Sequence, residues 1–352
     1  MPIDHAHYMR RCFELALLGA GYVAPNPMVG SVLVHNDRII GEGWHQRYGQ
    51  AHAEVNCIAS VKEEDKHLIT SSTMYVSLEP CAHYGKTPPC ADLIVRNHIP
   101  HVVIGCRDPF GEVNGKGIDK LKAAGVNVEV GILEEEAKEL NKRFFTFHTQ
   151  HRPYVILKWA QTADSFIAAH PVNNNGKTDR LLISNDLSNR MVHRWRSEEA
   201  SILVGTNTAL LDNPALTNRL WDGPSPVRLV VDMELQLPHE LQLFDRSQHT
   251  IVFNTIKHEE EGNLLYYQVT HDVNLIPQMM NALYQLQLQS VLVEGGAVLL
   301  QSFITENCWD EARVIVNNDL FIKKGLPAPV INGIAHEITQ LKNDTLLLYN
   351  RQ

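Results

Sequence analysis

Apolar residues recur at helical spacing near the start of the chain. Met9, Cys12, Phe13, Ala16 and Leu17 share one face and predict a helix over 8–20. The period then shortens. Residues 31–35 and 38–44 read as two strands joined by the turn pair Asn36-Asp37. Next come a helix over 52–61, a strand over 73–78, a helix over 90–97 and a strand over 101–105. Residues 117–124 predict a helix closed by Gly125, and 126–130 a strand. The segment 134–146 predicts one helix, with acidic residues in the first turn where the helix dipole favours them. Strands alternating with helices imply a sheet covered on both faces. At His151-Arg152-Pro153 a proline interrupts the preceding helix, which divides the chain into 1–150 and 151–352. A second α/β pattern with its own core then begins. It has strands over 154–159, 202–204, 227–231, 250–253 and 290–293, and helices over 186–195, 276–288 and 298–305. The polar run Asn173-Asn174-Asn175-Gly176 reads as a surface loop.

A length of 352 residues fits two domains better than one core. With 44% hydrophobic and 20% charged residues the composition is globular, and no apolar run approaches the roughly 20 residues of a membrane helix. The segment Met1-Pro2-Ile3-Asp4-His5 lacks the basic-then-apolar order of a signal peptide, so a cytoplasmic location is expected. A net charge of −9 weighs against non-specific nucleic-acid binding but leaves room for a small phosphorylated substrate held by a few local cations. Six cysteines do not make a disulfide scaffold. Cys12, Cys57, Cys106 and Cys308 lie in apolar contexts and read as small buried residues.

The other two cysteines change the picture. Cys81 and Cys90, together with His52, offer two thiolates and an imidazole, and Glu54 follows the histidine by two residues. Three soft protein ligands with an open fourth position describe a catalytic zinc site, one ion per chain. Such an ion lowers the pKa of a bound water to roughly 7, and a nearby carboxylate carries the protons that hydrolytic deamination requires. Because an i, i+2 pair does not share one face of a regular helix, Glu54 must bend back towards the metal. A closed structural site would instead need a fourth protein ligand, for which His83 or His45 stands nearby in the sequence.

His52-Ala53-Glu54 with Pro80-Cys81 and a later cysteine resembles the cytidine deaminase superfamily. Most members have a shorter cysteine spacing, whereas here eight residues separate Cys81 from Cys90, including Gly85-Lys86-Thr87-Pro88-Pro89. That longer loop resembles the deaminase domain of the bifunctional riboflavin-biosynthesis deaminase/reductases. So do Pro25-Asn26-Pro27-Met28-Val29-Gly30, Gly43-Trp44-His45 and Cys106-Arg107-Asp108-Pro109. The resemblance implies a three-layer cytidine deaminase-like α/β domain over 1–150. It also implies a substrate pocket lined by Asn26, His45, His83 and Lys86, with Lys86 towards a phosphate.

In the second half, Val293-Glu294-Gly295-Gly296-Ala297 ends a strand in two glycines and starts a helix, an arrangement that admits a phosphate. This half resembles the reductase domain of the same family, similar in fold to dihydrofolate reductase. The matching segments are Leu157-Lys158-Trp159-Ala160, His193-Arg194-Trp195-Arg196, 205–219 and the Glu294 turn. The resemblance implies NADPH against Ala160, Leu182, Thr208, Asp212, Gly296, Ala297, Val298, Leu299, Leu300, Gln301 and Ser302. It places the sugar phosphate against Arg196, Leu216, Arg219 and Glu294. Chemically, Arg196 and Arg219 can clamp a phosphate, Lys158 and Glu294 can bind or polarise the opened ribose, and Arg180 can bind phosphate without taking over the family serine's role. The chain departs from common members at Arg180, where they have serine, at Leu182, where they have tryptophan, and at Ala163-Asp164-Ser165, where Leu-Asp-Gly is usual.

The resemblance implies deamination of 2,5-diamino-6-ribosylamino-4(3H)-pyrimidinone 5′-phosphate, followed by NADPH reduction of the ribosyl group of 5-amino-6-(5-phosphoribosylamino)uracil to ribityl. It implies a small-molecule enzyme with no nucleic-acid or membrane partner, in a family that often forms homo-oligomers. Two rivals share part of the pattern. A tRNA adenosine deaminase uses the same His-Ala-Glu logic, and a zinc-stabilised binding module would need no carboxylate in Glu54's place.

Overall fold

The structure, a computed structural model, describes residues 4–84, 88–169 and 181–351. The Asn173–Gly176 run, Lys86 and Arg180 lie outside the described residues. The chain forms two compact units, Met1–His151 and Arg152–Gln352.

The first unit is built on strands β1 (Gly30–His35), β2 (Arg38–Trp44), β3 (Thr73–Leu78), β4 (His101–Cys106) and β5 (Asn127–Val130), in the order β2-β1-β3-β4-β5. β1 runs antiparallel to both neighbours, and β3, β4 and β5 are mutually parallel. Asn36 and Asp37 both adopt positive φ, as a tight hairpin turn between twisted strands requires. Its helices are α1 (His5–Leu17), α2 (Ala53–Ala59), α3 (Cys90–Arg96), α4 (Lys116–Ala123), α5 (Glu134–Leu140) and α6 (Lys142–Gln150). The period-2 alternation of β1 separates two cores. Val32 and Val34 pack with Met9, Phe13 and Ala137 from α1 and α5, while Leu33 packs with Cys57, Ile94 and Leu121 from α2, α3 and α4. The result is the expected helix–sheet–helix sandwich.

The single helix expected over 134–146 is instead two, broken at Asn141. The buried Asn141 amide exchanges hydrogen bonds with Met28, accepting its N–H at 2.8 Å and donating to its carbonyl at 2.9 Å. A tertiary contact thus overrides local helical periodicity and ties α5 and α6 to the 25–30 segment, which opens with a cis Ala24–Pro25 bond. α6 ends because His151 turns left-handed at φ 54°, ahead of the proline expected to stop it.

The second unit contains β6 (Tyr154–Thr162), β7 (Phe166–Ala169), β8 (Ser201–Val204), β9 (Val227–Val231), β10 (Thr250–Asn254), β11 (Glu259–Glu261), β12 (Leu264–Gln268) and β13 (Ser290–Gly295). β14 (Glu311–Asn317), β15 (Gly325–Pro327), β16 (Glu337–Leu341) and β17 (Asp344–Asn350) complete the strands. The main sheet runs β11-β12-β10-β9-β8-β13-β6-β14-β17-β16, with β7 and β15 paired separately. The stretch from β12 to β14 is parallel, and β11, β17 and β16 join antiparallel at the edges. Its helices are α7 (Asp186–Glu198), α8 (Thr206–Asp212), α9 (Leu275–Gln285) and α10 (Ala297–Thr305). Alternation in β6 again sorts the faces. Val155 and Leu157 meet Met279, Leu283 and Phe303 of α9 and α10, while Tyr154 and Ile156 meet Val192 and Trp195 of α7.

The strands after Thr305 escape an apolar-run reading because β14 carries buried Glu311 and Arg313, which pair with each other. Cys12, Cys57 and Cys106 are buried as expected, whereas Cys308 is half-buried.

Candidate metal centre and cofactor site

His52 is the N-cap of α2, not a residue of its interior, and its backbone is extended at φ −76° and ψ 170°. Glu54 lies in the first turn of the same helix. The i, i+2 difficulty therefore disappears, because the chain changes conformation between the two residues. Cys81 follows β3, and Cys90 is the first residue of α3. His52 Nδ1 stands 3.6 Å from Cys81 Sγ and 3.4 Å from Cys90 Sγ, and the three donor atoms lie within 4.8 Å of one another. A tetrahedral zinc about 2.05 Å from nitrogen and about 2.3 Å from sulfur would set N and S roughly 3.6 Å apart. The donor set therefore fits zinc in identity and spacing.

The Cys90 thiol donates to Cys81, which holds the Cys81 thiol down at about 4 and pushes that of Cys90 up. The Cys90 backbone N–H adds a bond to Cys81 Sγ at 3.3 Å. Glu54 is 3% exposed, and burial, with the Cys81 charge adding to it, raises its carboxyl above the usual range. A carboxyl raised in this way suits a group that must both take and return a proton.

His45 and Asn26 come together beside this centre. The Asn26 amide lies 3.1 Å from His45 Nε2, and the His45 and His52 rings are 5.2 Å apart. His45 Nδ1 lies 3.1 Å from the Ala51 carbonyl, which can only accept, so Nδ1 carries the proton and Nε2 receives the Asn26 N–H. Burial lowers the His45 pKa, in keeping with a neutral ring. These bonds occupy both nitrogens of His45. His83 is exposed, with its ring edge-on to Phe110 at 6.2 Å. Among the described residues the group of metal-ligating side chains is His52, Cys81 and Cys90, without His45 or His83 as a fourth ligand.

Two residues to which the sequence reading gave no role, Glu79 and Asp108, stand beside this site. Glu79 is 4% exposed, and its carboxylate accepts backbone N–H bonds from Asp108, Gly115, Gly117 and Ile118. It joins the end of β3, and hence the cysteine loop, to the turn before α4. Burial pushes the Asp108 carboxyl up to about 7 against the pull of the Phe110 N–H, and the Glu79 and Cys81 charges push the same way. The available signal was an acid on each side of the cysteine motif at strand ends, Glu79 after β3 and Asp108 after β4.

In the second unit, Arg196 of α7 makes two bonds of 2.7 Å to the Glu294 carboxylate, and Lys158 Nζ stands 4.0 Å from it. Burial raises the Glu294 carboxyl, but the Arg196 and Lys158 cations outweigh it and hold it at about 2. The paired face of Arg196 is therefore turned to Glu294, and its Nη1 donates to the Thr217 carbonyl at 3.2 Å. The fork expected for a phosphate is paired with the Glu294 carboxylate in this structure. Arg219 is exposed and donates to Thr217 Oγ1 at 2.9 Å. Leu216 is 2% exposed and packs among Ile202, Val204 and Ala209, so its side chain belongs to the core.

The glycine turn after β13 fits a nucleotide cofactor. A Cβ on Gly295 would lie 2.7 Å from the Thr208 methyl, and Gly296 has φ 84°. The first bond within α10 runs from Leu300 N–H to the Gly296 carbonyl at 3.0 Å, so the N–H groups of Ala297, Val298 and Leu299 precede its ladder. Ala297, Val298, Gln301 and Ser302 line a cavity of about 430 Å³ together with Pro327 and Ala328. Ala160 and Leu299 are half-buried, Asp212 is exposed, Leu182 is 76% exposed, and Leu300 is a core residue at 1%. Leu300 can thus meet a cofactor through its backbone alone. Ser165, where glycine is usual in the family, has φ 65°, a conformation that glycine adopts more readily.

Fold and site together define a zinc-binding deaminase unit followed by a reductase-type α/β unit. The family model "Cytidine and deoxycytidylate deaminase zinc-binding region" matches residues 2–106, and "RibD C-terminal domain" matches 153–320. The riboflavin biosynthesis protein RibD of Aquifex aeolicus is 38% identical over 315 residues, covering 88% of this chain and 86% of that protein. The Synechocystis protein of the same name is 35% identical over 98% of this chain and 92% of its own length. The crystal structure of a Thermotoga maritima diaminohydroxyphosphoribosylaminopyrimidine deaminase/5-amino-6-(5-phosphoribosylamino)uracil reductase superposes with TM-score 0.88. Its sequence is 34% identical, with 99% of this chain and 98% of that one covered. The chain belongs to the RibD family of bifunctional deaminase/reductases of riboflavin biosynthesis. No helix among the described residues is long and apolar enough to cross a membrane.

Proposed function

We propose that residues 1–150 deaminate 2,5-diamino-6-ribosylamino-4(3H)-pyrimidinone 5′-phosphate and that residues 151–352 reduce the product's ribosyl group to ribityl with NADPH. The observation that carries this reading is the convergence of His52, Cys81 and Cys90 with a buried carboxyl, Glu54, alongside them. Held by those three side chains, zinc supplies a water acidified to near-neutral pKa. With zinc held there, Glu54 would take one proton from the water and pass it to the ring nitrogen, then take the second from the added hydroxyl and pass it to the departing amine. Burial raises the Glu54 carboxyl above the usual range, the direction that favours a group returning its proton. Asn26 has its amide N–H on His45, which leaves its carbonyl oxygen to orient the ring. His83 and Lys86 serve the same pocket, with Lys86 at the phosphate.

In the second unit the backbone N–H groups at the start of α10, with Thr208 beside the glycine turn, hold the cofactor phosphates, and Ala160, Leu182 and Asp212 complete its site. The nicotinamide supplies the hydride. Glu294, kept ionised by Arg196 and Lys158, binds the opened ribose, and Lys158 polarises it. Arg219 and Arg180 take the phosphate, with Leu216 contributing backbone. The enzyme works in the cytoplasm; its net charge of −9 weighs against nucleic acid and leaves room for a small phosphorylated substrate held by local cations.

The test is incubation of the purified protein with the diaminopyrimidine phosphate, with and without NADPH, following products by mass. Glu54→Gln keeps zinc and loses ammonia release, yet still oxidises NADPH when the deaminated intermediate is supplied. Deamination that survives in a folded Glu54→Gln variant refutes the assignment of Glu54.

A further inference from the structure

His193 lies on α7 one turn before Arg196 and is 6% exposed, yet no step above uses it. Its Nδ1 lies 2.9 Å from the backbone nitrogen of Arg219. A backbone N–H can only donate, so Nδ1 must present a lone pair, and a neutral ring then carries its proton on Nε2. Arg196, three residues on and so on the same helix face, donates to the Thr217 carbonyl of the same loop at 3.2 Å. The 213–226 segment that carries these residues has no helix or strand of its own, and Leu216 enters it at φ 51°. Internal bonds, among them those from Asn218 to Ser225 and Gly223 and from the Trp221 N–H to Asn218, fold the segment on itself. α7 therefore grips the loop's backbone by two hydrogen bonds, donating to one carbonyl and accepting from one N–H, while the Asn218 side chain also bonds His193 and Arg190 and Arg194 lie over the Trp221 ring at 6.0 and 5.7 Å.

We propose that His193 is a positioning residue of the reductase site, whose neutral imidazole accepts the Arg219 N–H and thereby holds residues 217–219 against the Arg196–Glu294 pair. This rests on the reading above that Arg219 and Glu294 meet the sugar phosphate. Supporting it, burial with the Arg196 and Arg219 cations lowers the His193 pKa to about 4, so the accepting lone pair persists at neutral pH. The Glu294 charge opposes that shift and is outweighed.

The side-chain chemistry separates positioning from mere filling. The amide oxygen of asparagine can occupy the place of Nδ1, whereas the longer glutamine side chain reaches only the place of Nε2. His193→Gln is expected to raise KM for the phosphoribosylaminouracil roughly tenfold, the scale of one lost part-buried hydrogen bond, with NADPH affinity unchanged. His193→Asn restores KM to near the wild-type value. Arg219→Met is measured in parallel. A raised KM for Arg219→Met with a wild-type KM for His193→Gln overturns the role of His193 and leaves the loop's role intact. An unchanged KM for Arg219→Met overturns the substrate reading of the loop itself. Equal defects in His193→Asn and His193→Gln also overturn the proposal. Amide exchange on the wild-type enzyme gives an independent check should a variant fail to fold. The 216–221 segment must show protection at Arg219, and free exchange there sinks the idea.

Discussion

Glu79→Gln tests how the metal loop is held. Glu79 Oε1 accepts from Gly117 at 3.0 Å and Ile118 at 3.2 Å, and Oε2 accepts from Gly115 at 3.0 Å and Asp108 at 3.3 Å. An amide keeps one accepting oxygen and turns an NH₂ group towards the other two donors. Whichever way it flips, one short bond and one long bond become donor facing donor. Each bond to a carboxylate contributes about 1.5–3 kcal/mol, and a buried unpaired N–H costs about 1–3 kcal/mol. The two losses are not independent, because the turn can shift and admit water, so a net cost of about 3 kcal/mol is expected. At about 2–4 °C per kcal/mol for a unit of roughly 150 residues, the first unit's transition should fall by about 6–12 °C in calorimetry of the zinc-loaded chain. Chelator competition should also strip zinc faster, because Cys81 lies two residues beyond the substituted position. A transition within about 2 °C of wild type would refute the view that this carboxylate organises the loop.

Gly117→Ala probes the same junction from the other side. A Cβ there would lie 1.9 Å from the Pro80 carbonyl oxygen, so a cost of about 1–3 kcal/mol and weaker zinc retention should appear in the same melts. Cys81→Ser should reduce bound zinc well below one per chain by metal analysis, and unchanged zinc removes Cys81 from the ligand set. In the second unit, Glu294 is held at about 2 against an ordinary 4.5. A depressed carboxylate stabilises the fold above the unfolded pKa, and that contribution, about 3 kcal/mol, disappears as pH falls from 4.5 to 2. Glu294→Gln should flatten acid unfolding in that window and lose stability at pH 7, because the half-buried Arg196 guanidinium loses the carboxylate it pairs with. His193, held at about 4, resists protonation in the fold, so stability intact above pH 6.5 should decline between 6.5 and 4. His193→Asn should abolish that component of the profile.

Local periodicity determined much of this molecule. The two-residue alternation of β1 and β6 and the helical spacing of α1 located the sheets and their covering helices, because burying one face imposes a period wherever the chain lies. The metal ligands were equally legible, since few arrangements other than a zinc site bring together one imidazole, two thiolates and an acid at such positions. What remained hidden was set by partners distant in sequence. The break at Asn141 depends on Met28, the occupied fork of Arg196 depends on Glu294, and the place of β14 in the sheet depends on β6 and β17. Residue types at Glu79 and His193 say nothing by themselves about which backbone N–H each will accept. A hydrogen-bond acceptor acquires its role only when the fold brings a donor to it, so chemistry carried by residue identity can be read along the chain and chemistry carried by juxtaposition requires the tertiary structure.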